Sequence, residues 1–175
     1  MAKKKMRKRK HQPWNKGRAT GQRDPFTRSE VNRIRKRLAK RGDAGLRDLA
    51  LLSTAIDTML RAPDLLSLTV KDVRKRNRMM RDTLHLTTAR GGRGIRCTLS
   101  EATMSVLEEW INRSGKKPGD YLFTGRTGGG SKPITARQFN RLVTAWAEDI
   151  GLDASRYGLG SLRRTRPSAL GHNLP

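Results

Sequence analysis

The stretch Leu60-Arg61-Ala62-Pro63-Asp64-Leu65-Leu66-Ser67-Leu68-Thr69-Val70-Lys71-Asp72-Val73 decides the reading of the chain. Pro63 suits the first turn of a short helix, where its missing N–H costs nothing. Leu65, Leu66 and Leu68 give that helix an apolar side. Upstream, Leu46, Leu49, Ala50, Leu52, Ile56, Met59 and Leu60 fall on one wide face, so the spacing predicts a buried helix running up to Arg61. Arg61 therefore stands at the junction of a core helix and a short one, with an acid, Asp64, three residues on.

Working outward, Thr27-Arg28-Ser29-Glu30 has the spacing of a capping box and predicts a helix to about Arg41, with Val31, Ile34 and Leu38 on its apolar stripe. Gly42 to Gly45 reads as a break before the core helix. Beyond Val73, Leu84 and Leu86 alternate with polar residues, as do Ile95, Cys97 and Leu99 after Gly91-Gly92-Arg93-Gly94, which indicates a β-hairpin. Ser100 can cap a helix through Val106, Leu107, Trp110 and Ile111 that ends near Gly115. Gly128 to Gly130 marks a loop, and Thr135-Ala136-Arg137-Gln138 is a second capping box, opening a helix with Phe139, Leu142, Val143, Trp146 and Ile150 inside. The fold class is mainly α with a small antiparallel β-sheet: a basic arm at 1–24, one domain at 25–166 and an irregular tail at 167–175.

Charge narrows the partner. Lys and Arg number 39 against 15 Asp and Glu, a formal charge of +24, and 34% of the 175 residues are apolar, enough for one core. Such an excess points to a polyanion, and no apolar run approaches the ~20 residues that cross a bilayer. The single cysteine, Cys97, excludes an internal disulfide and any multi-cysteine metal site and fits a reducing, cytoplasmic setting. The arm holds Lys3, Lys4, Lys5, Arg7, Lys8, Arg9 and Lys10 with few apolar residues, so it reads as disordered until bound and suited to phosphate contact, or as a solubilising tail.

The Arg61 stretch resembles the first arginine motif of the tyrosine recombinase, or phage integrase, family, and Tyr157-Gly158-Leu159-Gly160-Ser161-Leu162-Arg163-Arg164-Thr165 resembles its second, His-x-x-Arg followed by Arg-Thr. The hairpin, the Tyr121-Leu122-Phe123 segment and the capped helix come between them in the family's order. The resemblance implies the recombinase catalytic fold, with duplex DNA and other recombinase subunits as partners, a nucleoid-associated location, and no metal or cofactor. It implies transesterification in which a tyrosine attacks a DNA phosphodiester while two arginines, here Arg61 and Arg163, clamp the phosphate.

Three positions depart from the pattern. Gly160 replaces the motif histidine, and Arg90, with Arg93 nearby, stands at the hairpin turn where the family has a lysine acid. Arginine holds its proton too tightly for that role. The family continues after the second arginine with a Leu-Gly-His motif and then the nucleophile, whereas this sequence ends nine residues beyond Arg166. Leu170-Gly171-His172 reads as that motif displaced, or as a coincidence. Tyr121 reads as core and Tyr157 as a non-nucleophilic tyrosine before the second motif. His11 and His85 read as ordinary residues, and Ser161 and Thr165 as phosphate donors or as capping and packing residues.

The expectation is a DNA-binding member of that family, incomplete at its C-terminus and without a nucleophile of its own for cleavage. The rival reading is a basic nucleoid or ribosomal protein that coats nucleic acid without a cleft. Convergence of Arg61, Arg90 and Arg163 on one phosphate-sized site discriminates the two. Because the arm carries no base-reading element, deleting residues 1–18 is expected to weaken binding to every duplex alike in fluorescence anisotropy. A loss confined to one DNA sequence would contradict that reading.

Overall fold

A computed structural model describes residues 22–87, 94–125 and 132–170, the last five by backbone alone. Helix α1 (Arg28–Leu38) opens on the expected capping box: the Thr27 hydroxyl accepts from the Glu30 amide at 3.3 Å, and the Glu30 carboxylate accepts from the Thr27 amide at 2.7 Å. It stops at Leu38, short of Arg41, with Val31, Ile34 and Leu38 buried. Helix α2 (Gly42–Thr58) begins within the glycine segment that reads as a break. A Cβ at Gly45 would lie 2.1 Å from the Leu38 carbonyl oxygen, so the glycine lets α2 fold back across the end of α1.

Helix α2 is the centre of the core. Ala50, Leu51, Leu52 and Ala55 are buried on it, and it packs against α1 and three later elements. Thr54 and Thr58, also buried, donate their hydroxyls to the carbonyls of Ala50 and Thr54 at 2.7 Å, so their polar atoms do not go unpaired. The short helix expected after Arg61 is two helices, α3 (Ala62–Leu66) and α4 (Val70–Val73), with buried Leu68 in the extended link between them. The Asp72 carboxylate causes the restart, accepting from the Thr69 amide at 2.8 Å and the Thr69 hydroxyl at 2.6 Å.

Strands β1 (Thr83–Leu86) and β2 (Ile95–Thr98) pair antiparallel, Leu84 opposite Cys97 on the buried face and His85 opposite Arg96 on the exposed one. Ser100 caps α5 (Glu101–Ser114), which ends on left-handed Gly115. The Thr135–Gln138 box opens α6 (Ala136–Asp149), whose Phe139, Val143 and Trp146 are buried, as is Ile150 just beyond it; Leu142 is only partly buried. Helix α7 (Leu159–Leu170) passes residue 166, so 167–170 are helical rather than an irregular tail. Pro167 lies inside that helix and leaves the Arg163 carbonyl without its usual backbone donor. Among the described residues, no helix is long and apolar enough to cross a membrane.

Tertiary bonds anchor the segment around Pro25. The Asp24 amide donates to the Arg156 carbonyl at 3.0 Å, and the two side chains form an ion pair. Phe26 is fully buried, stacks on Tyr157 with ring centroids 4.6 Å apart, and donates its amide to the Thr165 hydroxyl at 3.2 Å. One aromatic thus ties the entry of the domain to the segment carrying the second arginine motif. Truncating a buried phenylalanine typically costs about 3–5 kcal/mol, a large part of the roughly 5–15 kcal/mol that holds a domain. Phe26→Ala is expected to lower the urea midpoint by a corresponding amount, measured by circular dichroism.

Candidate phosphate-binding site

Arg61 and Arg163, 102 positions apart in sequence, line the same pocket of about 170 Å³ together with Gly160. Helix α2 ends on Met59, which is left-handed at φ 52°, an uncommon conformation for a residue with a side chain. The bend buries Leu60 and brings Arg61 out extended (φ −68°, ψ 150°) in front of α3. From the second turn of α7, Arg163 donates Nε to the Met59 carbonyl at 3.1 Å. That carbonyl sits at the negative end of α2, so it accepts from a cation especially well.

Both guanidiniums are exposed. Among the described residues, Arg61 makes no hydrogen bond or ion pair, and no bond engages the Nη groups of Arg163. Leu60, Leu65, Phe139, Leu159 and Leu162 form the apolar wall behind them. An anion held between Arg61 and the Nη groups of Arg163 against such a wall is attracted more strongly than it would be in open water. The first turn of α7 also contributes to the wall, and the positive end of its dipole acts in the same direction.

Gly160 is open rather than sterically required. A Cβ there would lie 3.5 Å from Arg164 Nη1 and 3.6 Å from Nη2, ordinary contact distances. Arg164 Nη2 is buried and has no hydrogen-bond partner among the described residues. Arg90, Arg93, His172, His11 and the arm lysines and arginines lie outside the described residues.

Neither tyrosine lines the pocket. Tyr121 is half-buried rather than core, because it bridges to Thr69 while the next two residues, Leu122 and Phe123, take the fully buried positions. Tyr157 is buried against Phe26, and its phenol is pushed up from the usual value, first by burial and then by the charges of Glu30 and Asp24. Ser161 and Thr165 have structural partners: Ser161 Oγ accepts from the Gly158 amide at 3.1 Å, and Thr165 donates to the Ser161 carbonyl at 2.8 Å. Sequence reasoning missed the Met59 carbonyl and the Phe139 wall. No sequence signal marks the first, since an ordinary side chain occupies a position where glycine would announce the bend.

The model of the phage integrase family matches residues 25–173, most of the chain and both arginine motifs. The chain belongs to that family. Among solved structures, this integrase-family chain is similar to XerA recombinase, with TM-score 0.68 and 18% identity over 86% of this chain and 52% of the other. It is similar to XerH site-specific recombinase bound to difH substrate, with TM-score 0.67 and 19% identity over 87% of this chain and 44% of the other. It is also similar to the Tn1549 transposon integrase in complex with circular intermediate DNA, with TM-score 0.62 and 20% identity over 88% of this chain and 54% of the other. The chain spans about half the length of those proteins, and the likeness is one of fold. No curated protein sequence matches it.

A raised phenol pKa has a defined sign. The unfolded phenol ionises first, near pH ~10, so the contribution of Tyr157 to stability is full below that pH and is lost as pH rises through its higher folded value. Ultraviolet titration of phenolate in the native protein is expected to show an ionisation above the model tyrosine value that disappears in Tyr157→Phe. Ionisation of Tyr157 below that value would contradict its assignment as a buried, unactivated phenol.

Proposed function

We propose that this integrase-family domain binds duplex DNA and clamps one backbone phosphate between Arg61 and Arg163. The observation that carries this reading is that Arg61 and Arg163, neither ion-paired among the described residues, line one pocket of about 170 Å³ with an apolar back wall. A phosphate accepts two parallel hydrogen bonds from a guanidinium, and two guanidiniums from different helices can hold it from two sides. Recombination of DNA is the reaction class that goes with this site. In it, the arginines stabilise the charge that develops on the phosphate under attack. The meeting of Arg61 and Arg163, with Arg90 outside the described residues, supports a cleft-bearing family member over a protein that only coats nucleic acid.

Among the described residues that line the pocket there is no attacking group. Attack requires a nucleophile within hydrogen-bonding reach of the phosphate and in line with the leaving oxygen. Tyr157 is stacked under Phe26, and Tyr121 is paired to Thr69 on the far side of α3 from Arg61 in sequence; neither lines the pocket. Gly160 offers no side-chain proton. On this reading the described pocket holds a DNA phosphate and neither tyrosine of the sequence attacks it.

Each charge-assisted hydrogen bond is worth about 1.5–3 kcal/mol, so Arg61→Gln and Arg163→Gln are each expected to weaken duplex binding by roughly 10-fold to 100-fold. Circular dichroism should remain unchanged for both, and unfolding of Arg163→Gln would make its bond to Met59 a scaffold contact instead. Nicked suicide duplexes should yield no adduct resistant to detergent and heat. A resistant band abolished by Tyr157→Phe or Tyr121→Phe would replace the binding-only reading with an enzymatic one.

A further inference from the structure

A second, larger pocket lies at the other end of the domain. It measures about 450 Å³, within the ~300–1,000 Å³ usual for ligand sites. One wall, from α4 and the turn after it, presents Lys71, Lys75, Arg76 and Arg78; the other, just past α5, presents Lys116 and Lys117. Arg74 lies between them, and no acidic residue is among the described lining residues. Asp57 near the C-terminal end of α2 accepts from the Ser100 amide at the N-terminal end of α5, so the Arg61 and Arg163 pocket lies by that end. Asn112 and Gly115 of the large pocket mark the opposite end of α5. A 14-residue helix is about 21 Å long, so the two pockets are separate.

The pocket is braced. Val70 and Lys71 donate their amides to the carbonyls of Asp120 and Pro118 at 3.0 and 2.9 Å, tying the two walls together. Arg74 Nη1 donates to Asn112 Oδ1 at 3.0 Å and Nε to the Arg78 carbonyl at 2.8 Å, while Nη2 lies 3.6 Å from Glu108. Arg74 is thus a strut whose charge is partly met. The turn it holds is closed by the Arg78 amide donating to the Lys75 carbonyl at 3.0 Å. Arg78 is left-handed at φ 67°, where asparagine or glycine would be less strained. Lys116 is partly buried, its Nζ donates to Thr124 Oγ1 at 2.9 Å, and burial lowers its pKa against the pull of Asp120.

Backbone bonds therefore hold six like charges around one hollow although they repel each other. We propose that this pocket binds closely spaced phosphate groups, either of a free oligophosphate or of a nucleic-acid backbone, at a site independent of the Arg61 and Arg163 clamp. Phosphate oxygens satisfy several ammonium and guanidinium donors at once, whereas a single carboxylate cannot neutralise six cations. The Arg61 and Arg163 pocket, by comparison, has two cations in its lining.

The test uses the full chain and two probes, inorganic tripolyphosphate by calorimetry and a short duplex by anisotropy across a salt series. The pocket variant combines Lys71→Gln, Lys75→Gln, Arg76→Gln and Arg78→Asn, all at exposed positions. A charge-matched control combines Arg28→Gln, Lys36→Gln, Arg37→Gln and Lys40→Gln on and beside α1, also exposed. The pocket variant should bind tripolyphosphate about tenfold or more weakly, as loss of charge-assisted contacts predicts, and the control should change little. If the duplex is the source, the pocket variant should lower the salt slope by about 0.9 per phosphate released while the control does so less. Tripolyphosphate loss alone identifies a free oligophosphate, and duplex loss alone identifies the backbone. Equal losses in both variants, or none in either, overturn the proposal. The duplex arm rests on the DNA-binding reading and the tripolyphosphate arm does not. Tripolyphosphate binding that is lost in Arg61→Gln/Arg163→Gln but kept in the pocket variant would overturn this inference and leave the clamp standing.

Discussion

The hydrogen bond from Arg163 Nε to the Met59 carbonyl is where the folded chain becomes a site. It joins the end of the core helix to the last helix and fixes one guanidinium beside another that would otherwise repel it. Everything around it serves that junction. Gly45 lets α2 lie against α1, α2 then delivers Met59 in a left-handed bend, and Leu60 drops into the core so that Arg61 emerges at the lip of the pocket. From the other side, Phe26 and Thr165 anchor the start of the domain to α7.

A chain of net charge +24 must also survive its own repulsion. Part of the solution is local pairing: Arg41 with Asp149, Arg113 with Asp43 and Glu109, Arg156 with Asp24. Exposed pairs of this kind contribute about 0–1 kcal/mol each, so they guide the charges more than they hold the fold. The Arg47–Asp48 pair is different, since both side chains are largely buried and Arg47 also reaches the Thr124 carbonyl at 3.4 Å. Breaking it would strand a buried charge. Cations without an acid partner also line the two pockets, Arg61 and Arg163 in one and Lys71, Lys75, Arg76 and Arg78 in the other.

The two pockets differ in chemistry. The Arg61 and Arg163 pocket is small and backed by apolar side chains, and its donors are rigid forks. The pocket beyond α5 is larger, mixes lysine with arginine, and is bounded by a tight turn and a helix end. Rigid forks fix the orientation of a bound anion more than flexible ammonium groups do.

Local pattern alone determined a good deal. The Thr27 and Thr135 capping boxes, the Ser100 cap, the hairpin strands and the two arginine motifs were legible because each depends on residues within a few positions of one another, where side chain and backbone interact whatever the rest of the chain does. Family membership followed from the order of those pieces. Only the tertiary structure decided the start of α2 inside the glycine segment, the split of α3 from α4 and the partial exposure of Tyr121. It also decided the burial of Tyr157 under Phe26, the Met59 carbonyl as a partner for Arg163, and the meeting of Lys71 with Lys116 across a cavity. These outcomes depend on how helices pack, because close approach, burial and long-range hydrogen bonds are set by residues far apart in sequence, and no local propensity encodes which of them will touch.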